Sequence, residues 1–118
     1  MTMDIYHIWC DLKPGVSDME FVTSLHRYLD KLRSDGQLVT YRITRAKLGF
    51  KPPQLREFHI TLEFENLGQL QTAFDHVATR ADQIDSLHHA VNSKVQDIYF
   101  ALYRDFPDGT RVVGQEKF

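Results

Sequence analysis

The chain contains 118 residues, of which 42% are hydrophobic, and carries a formal net charge of −2. This length predicts a single domain over residues 1–118, with 107–118 as a C-terminal tail. The weakly acidic balance argues against a general nucleic-acid-binding protein, and no apolar run approaches the ~20 residues of a membrane span. We therefore expect a cytoplasmic protein without nucleic-acid or membrane partners, and its single cysteine, Cys10, agrees with a reducing compartment.

Residues 5–12 predict the first strand, because they are rich in strand-forming side chains and are followed by Pro14 and Gly15. Successive side chains of a strand point to opposite faces. The predicted core face contains Tyr6, Ile8, Cys10 and Leu12, and the other face contains Ile5, His7, Trp9 and Asp11.

A helix is predicted next. Ser17 and Glu20 have the spacing of a capping box, in which the serine hydroxyl accepts a backbone N–H three residues on. Gly36 suits the left-handed residue that ends many helices. Between them, apolar side chains recur with the helical period of 3.6 residues: Phe21, Val22, Leu25, Tyr28, Leu29 and Leu32.

The clearest strand pattern is 58–65, where large apolar and polar residues alternate strictly. Its predicted core residues are Phe58, Ile60, Leu62 and Phe64, and His59, Thr61, Glu63 and Glu65 point the other way. A preceding strand over 38–48 has Val39, Tyr41 and Ile43 as its core face, with Thr40, Arg42 and Thr44 opposite. Pro52 and Pro53 cannot continue a ladder, so the two strands form a hairpin.

The segment between Gln37 and Arg56 contains basic side chains and no acidic one. Such a segment is either a solvated hairpin or an electropositive rim that attracts an anionic ligand. The five basic residues are Arg42, Arg45, Lys47, Lys51 and Arg56.

The second half of the chain predicts helix, then strand. Asn66 can cap a helix with Leu67, Leu70, Phe74, Val77 and Ala78 on one stripe. The stripe falters near Ala81 and Asp82 and restarts at Ile84, Leu87 and Val91, which predicts a break or a short additional helix ending near Asn92. Residues 96–104 predict a fourth strand, with Ile98, Phe100 and Leu102 towards the core and Tyr99, Ala101 and Tyr103 away. The tail after Pro107 is either loose or an added edge strand.

The order βαββαβ is that of an α+β, ferredoxin-like sandwich: a four-stranded antiparallel sheet in the order 4-1-3-2 with helices on one face. The other face, called the open face below, is rich in aromatic side chains and therefore needs a partner. The open face contains Ile5, His7, Trp9, Asp11, Arg42, His59, Thr61, Glu63, Tyr99 and Tyr103.

Over essentially its whole length the chain resembles the dimeric α+β barrel superfamily, in which two ferredoxin-like subunits close their open sheets against each other. The resemblance lies in element order, length and the mixed polar and aromatic open face. It implies a homodimer with a pocket between sheet and helices or inside the barrel, and relatives that include cofactor-free monooxygenases and isomerases. An RNA-recognition motif fits less well because its third-strand glycines are missing, and nothing singles out a regulatory ligand-binding domain.

His7 and His59 are the candidate catalytic residues, because they are expected on neighbouring strands and imidazole suits acid–base chemistry near neutral pH. Glu63 on the same face would bring a carboxylate to them, and the three together are only weak candidates for a metal site. The candidate ligand-binding residues are Trp9, Arg42, Thr61, Glu63, Tyr99 and Tyr103. Cys10 should be inert packing.

We therefore expect a homodimeric barrel that binds a small aromatic or anionic organic compound. The resemblance implies a monooxygenase-like or isomerase-like activity without a cofactor. The alternative is a non-catalytic interaction or regulatory module whose open face is entirely buried in the dimer interface.

Overall fold

The computed structural model describes residues 2–79 and 82–116. The strands are β1 (Asp4–Leu12), β2 (Thr40–Arg45), β3 (Phe58–Phe64) and β4 (Val95–Arg104), and the helices are α1 (Asp18–Ser34), α2 (Leu67–Ala78) and α3 (Asp82–Asn92). The strands form one antiparallel sheet in the order β2-β3-β1-β4, which confirms the predicted ferredoxin-like topology. None of the described helices combines the length and hydrophobicity that crossing a membrane requires.

Side-chain caps begin two of the helices, as predicted. Ser17 Oγ accepts the backbone N–H of Glu20 at 3.0 Å, and Asn66 Oδ1 accepts that of Gln69 at 2.8 Å. Beyond α1, Gly36 has a φ of 74°, the left-handed conformation that glycine adopts without strain. The predicted short additional helix is α3, whereas Ala81, where we placed the break, lies outside the described residues.

The core lies between the helices and one face of the sheet. The predicted core face of β3 is fully buried, and the apolar stripe of α1 packs against it. Because all three helices contribute to this cluster, the opposite sheet face is left without a helical cover in the described part of the chain. The buried residues of β3 and α1 are Phe58, Ile60, Leu62, Phe64, Phe21, Leu25, Leu29 and Leu32.

The start of β2 corrects the sequence prediction. Leu38 is buried, whereas Val39, predicted to face the core, is 38% exposed. Regular pairing begins only at Thr40, so Leu38 enters the core from the turn after α1, before strand alternation applies. The strand also ends at Arg45 rather than near residue 48, because Leu48 and Gly49 adopt left-handed backbone conformations.

Four large apolar residues that were predicted for the core, and the small Ala78, are exposed on the helix-facing side. On β4 the side chains point to the predicted faces, but the helices do not cover this edge strand. On α2 the fully buried residue is the small Ala73, and its larger neighbours are not fully buried. The exposed fractions are 47% for Leu67, 42% for Phe74, 58% for Phe100 and 52% for Leu102. The tail forms no strand over its described residues, 105–116.

Phe64 should contribute more to stability than any exposed phenylalanine, because its side chain is completely buried. We expect Phe64→Ala to lower the free energy of unfolding by about 3–5 kcal/mol, measured by urea denaturation. Phe50→Ala is the matched control, since Phe50 is 84% exposed, and should change it by less than about 0.5 kcal/mol. Equal effects of the two substitutions would contradict this description of the core.

Candidate functional site

The open face contains all eight residues predicted for the site. On the two central strands, His7 lies directly opposite Thr61, and Trp9 lies opposite His59. Residues in such positions point to the same side of the sheet, as the alternation predicts. The eight residues are His7, Trp9, Arg42, His59, Thr61, Glu63, Tyr99 and Tyr103.

The two histidines form a hydrogen-bonded pair. His7 Nδ1 lies 2.9 Å from His59 Nε2, and the ring centroids are 5.1 Å apart with the planes inclined by 14°. The centroid separation exceeds the nitrogen–nitrogen distance by about two ring radii, so the two nitrogens point at each other. One ring donates and the other accepts, and neither of these nitrogens is left for a substrate or a metal.

Aromatic rings surround this pair. The Trp9 ring stacks on His59 at 4.6 Å, and Tyr103 approaches the ring of His7 in an edge arrangement at 4.8 Å. The hydroxyl of Tyr99 accepts a hydrogen bond from Arg56 at 3.3 Å. These contacts form a continuous flat surface, which suits an interface or a flat ligand.

The structure does not bring Glu63 to the histidine pair. Glu63 lies opposite Ile5 and Thr40, one row of residues beyond Thr61. Within residues 2–79 and 82–116, no ion pair joins Glu63 to Arg42, and no cluster of three or more His, Cys, Asp or Glu side chains could hold a metal ion. The predicted grouping of a carboxylate with both imidazoles is therefore wrong.

Ion pairs also reduce the predicted electropositive rim. Arg45 bridges Asp18 at 3.0 Å and Glu57 at 3.1 Å. Arg56 lies 3.6 Å from Asp11. Two of the five positive charges are thus compensated by neighbouring carboxylates.

A cavity of about 450 Å³ lies on the other side of the sheet, between the strands and the helices. Its wall is almost entirely apolar, with Leu25, Leu62 and Val91 among its residues. Cys10 also lines it, but burial, with a smaller effect from Asp11, raises the pKa of this thiol to about 11. The thiol therefore stays protonated at neutral pH and acts as packing, as expected.

Four polar side chains line this cavity: Tyr6 on β1, Tyr28 on α1, and His88 and Asn92 on α3. The rings of Tyr28 and His88 meet edge to face, with centroids 5.3 Å apart. Among the described residues, no group hydrogen-bonds to either tyrosine hydroxyl or to the His88 ring nitrogens. These hydroxyl groups and ring nitrogens are therefore available to hydrogen-bond with a ligand in the cavity.

Burial sets the charge state of these groups. It raises the pKa of Tyr28 to about 12, with a smaller contribution from Tyr6, whose own pKa burial also raises. It lowers the pKa of His88, an effect that Asp85 opposes. At neutral pH the cavity therefore presents neutral phenols, which can donate hydrogen bonds, beside a neutral imidazole, which can accept a proton.

The cavity opens at the edge where the helices leave β4 uncovered. Tyr6 stacks on Phe100 with ring centroids 5.6 Å apart and meets Phe74 edge to face at 5.2 Å. The partly exposed Phe74 and Phe100 thus form an aromatic entrance. A flat, largely apolar molecule fits this shape best.

A pocket between the sheet and the helices was one of the two locations that the resemblance implies, but Tyr28 and His88 are not among the predicted site residues, because both occupy helical positions expected to pack in the core. Tyr28 belongs to the apolar stripe of α1, whose side chains are predicted to pack in the core. His88 comes four residues after the buried Ile84 and three before Val91, so the helical period places it on the core side of α3. A histidine on the apolar stripe of a helix is the sequence signal that indicates a polar group on the core side.

A family model described as a family of unknown function, DUF6614, matches residues 3–118. No curated protein sequence matches the chain.

Solved structures share the fold at low sequence identity. A dimeric protein of unknown function with a ferredoxin-like fold from Bacteroides fragilis has a TM-score of 0.57 at 13% identity, covering 86% of this chain and 94% of that one. The cofactor-independent oxygenase SnoaB from Streptomyces nogalater has a TM-score of 0.61 at 8% identity, with coverages of 91% and 97%. A hydroxynitrile lyase from Passiflora edulis has a TM-score of 0.67 at 7% identity, with coverages of 90% and 95%.

Proposed function

The chain belongs to DUF6614, a family of unknown function, and we propose that it is a homodimeric protein that binds and transforms a small aromatic compound by proton transfer. The compound occupies the cavity between the sheet and the helices of each subunit. Tyr28 and His88 contact its polar group, and the chemistry needs no cofactor. A cytoplasmic location is part of the proposal.

The observation that carries the proposal is the set of polar atoms without protein partners in the apolar cavity. Tyr28 and His88 line a space of about 450 Å³, which is in the range of small-molecule sites. A ligand with one hydroxyl or carbonyl group would satisfy them, and its apolar body would contact the remaining wall. The small polar share of the wall favours an uncharged aromatic compound over the anionic one.

The charge states of the two residues favour an isomerase-like reaction. A neutral imidazole can remove a proton from carbon next to a carbonyl group, and a neutral phenol can donate a hydrogen bond to the oxyanion that forms. Among the structures that share the fold, one is described as a lyase and another as a cofactor-independent oxygenase. The fold is therefore compatible with enzymatic activity, and the chemistry of Tyr28 and His88 favours proton transfer as the reaction of this chain.

The open face supports the homodimer. The radius of gyration is 16.0 Å, whereas a compact domain of this length has about 13 Å, and the thinnest dimension of the subunit is 18 Å. Such a flat subunit leaves one sheet face without a core of its own. We assign the eight predicted site residues on the open face, including His7 and His59, to the contact between two copies rather than to catalysis, because the paired imidazole nitrogens bond to each other.

The alternative function is a dimerising module without a ligand. The aromatic surface around the histidine pair favours it, since that surface would be buried by dimerisation alone. The two functions differ in the cavity: only the first predicts specific binding there.

Binding of 1-naphthol, measured by titration of the ligand's fluorescence, tests the proposal. We expect Tyr28→Phe to weaken 1-naphthol binding by about five- to tenfold, because one hydrogen bond is worth about 1 kcal/mol. Binding of naphthalene, which lacks the hydroxyl group, should not change. Val91→Trp, which fills the cavity, should abolish binding of both compounds.

His89→Gln is the matched control, since His89 is exposed on the same helix, and it should bind both compounds as the wild type does. If the wild type binds neither compound, or if Val91→Trp leaves binding intact, the cavity is not the ligand site and the dimerising module is favoured.

A further inference from the structure

The histidine pair lies at the centre of the open face. His7 is on β1 and His59 on β3, the two central strands, and both side chains are partly buried within a single subunit. Strand pairing places Trp9 beside His59 and Ala101 beside His7. A second copy that covers the open face would therefore cover this pair.

The bond between the two rings depends on their protonation. It needs one nitrogen that carries hydrogen and one with a free lone pair. When both rings are protonated, each of the facing nitrogens carries hydrogen, so the bond is lost. Two positive charges then lie within the distance of a hydrogen bond, where they repel each other.

The charged groups around the pair do not compensate added protons. On the open face, β1 contributes Asp11. Its carboxylate forms an ion pair with Arg56 at 3.6 Å and accepts a hydrogen bond from the backbone N–H of Glu57 at 2.9 Å. The other charges on this face are Arg42 on β2, opposite Thr61, Glu63 on β3, one row away from the pair, and Glu65, which follows β3. The titratable groups of β4 on this face are the phenols of Tyr99 and Tyr103.

The helix-facing side of the sheet adds no compensating charge. The neighbours of the pair on β1, Tyr6 and Cys10, point to the helices and are neutral at physiological pH. In agreement with these surroundings, burial lowers the pKa of His7, and burial together with His7 lowers that of His59.

We propose that the His7–His59 pair makes the homodimer sensitive to pH, so that it is stable while the pair is neutral and dissociates when both rings become protonated. This inference rests on the homodimer of the proposed function and adds its regulation. The partner is a second copy of this chain, and the signal is acidification.

The direction of the pH dependence follows from the linkage between proton binding and dimerisation. Covering the pair removes water, so the pKa of each ring is lower in the dimer than in the free subunit, and the dimer binds fewer protons. Dimer stability is therefore fully present above the free-subunit pKa, which burial already lowers from the usual ~6.5, and is lost as the pH falls below it. Below that pKa, each proton that the dimer excludes weakens association about tenfold per pH unit. A symmetric dimer contains two histidine pairs and excludes at least two protons, so association weakens by about a hundredfold per pH unit.

Sedimentation equilibrium at constant ionic strength, from about pH 8 to about pH 5.5, tests this inference in the range where histidine titrates. We expect the dimer dissociation constant of the wild type to rise at least about tenfold over this range, with unchanged far-ultraviolet circular dichroism. His59→Gln keeps a hydrogen-bonding side chain but leaves only one titratable ring and removes the repulsion between two imidazolium ions, so its dissociation constant should rise less than that of the wild type over this range. His89→Gln, outside the open face, should behave as the wild type does.

A wild-type dimer whose dissociation constant does not change with pH would overturn the inference and leave the proposed homodimer standing. A wild type that is monomeric at every pH would overturn both. If His59→Gln does not dimerise at about pH 8, His7→Gln gives the same comparison, since it also leaves one titratable ring. An undiminished pH response in the variant that dimerises would likewise overturn the inference.

Discussion

Replacement of His88 by glutamine is expected to lower protein-catalysed proton exchange by about 10²–10⁴-fold. The probe is 2-tetralone, a flat bicyclic ketone with acidic hydrogens beside its carbonyl group. A ring nitrogen of His88 removes one such proton, the Tyr28 hydroxyl donates a hydrogen bond to the enolate oxygen, and the imidazolium, after exchange with heavy water, returns a deuteron to the same carbon. Proton nuclear magnetic resonance follows the loss of the carbon-bound hydrogen signal.

Two variants distinguish chemistry from packing in this experiment. Tyr28→Phe should lower the exchange rate by about 10²–10³-fold, the usual effect of removing a donor to an oxyanion. His89→Gln should exchange at the wild-type rate, because His89 is the exposed neighbour of His88 and does not line the cavity. A wild type no faster than buffer, or a His88→Gln variant as fast as the wild type, would contradict the assignment of His88 as the base.

The pH dependence of exchange follows from the same environment. Burial lowers the pKa of His88, so the neutral base is already present below the usual range of histidine, and the rate should rise with pH and then level off. Burial raises the pKa of Tyr28 to about 12, so the phenol still donates its hydrogen bond throughout the neutral and moderately alkaline range. A fall in rate between about pH 7 and pH 9 would contradict the role of Tyr28 as a neutral donor.

The sequence predicted most of the fold because alternation and helical periodicity are local properties. The strict alternation of 58–65 places Phe58 and Phe64 in the core without knowledge of any other element. The caps at Ser17 and Asn66 are equally local. Each of these features depends only on neighbouring residues, and each is confirmed.

What the sequence could not predict depends on how elements pack. Phe100 and Leu102 have the correct parity, but their exposure follows from where α2 and α3 lie relative to the edge strand. Asp4, only 4% exposed, receives a hydrogen bond from Arg104 at 2.6 Å, a contact between residues at opposite ends of the chain. No local sequence pattern predicts such an ion pair.

The candidate site divides in the same way. Alternation placed His7 and His59 on one face of neighbouring strands, but only the side-chain geometry shows that their nitrogens bond to each other. The cavity arises where three elements fail to fill the space between them. A gap of that kind is a property of the assembled core, so Tyr28 and His88 acquire their proposed role only in three dimensions.

Ala101→Arg is expected to abolish dimerisation without unfolding the subunit. Ala101 is a small residue on β4, directly opposite His7 on the open face. An arginine at this position places a long, positively charged side chain in the proposed interface. Because the dimer is two-fold symmetric, each subunit contributes one such charge. Buried like charges cost several kcal/mol, so the dissociation constant should rise at least about a hundredfold, and sedimentation equilibrium should give a mass near the subunit's 13.8 kDa.

Thr23→Arg is the matched control, because Thr23 is exposed on α1, on the helical side of the subunit. It adds the same charge and should leave the dimer intact. Urea denaturation should show that both variants retain a folded core, since neither position contributes a buried apolar side chain. If Ala101→Arg dimerises as tightly as the wild type while Thr23→Arg does not, the interface lies on the helices, and the aromatic surface around the histidine pair must serve another partner.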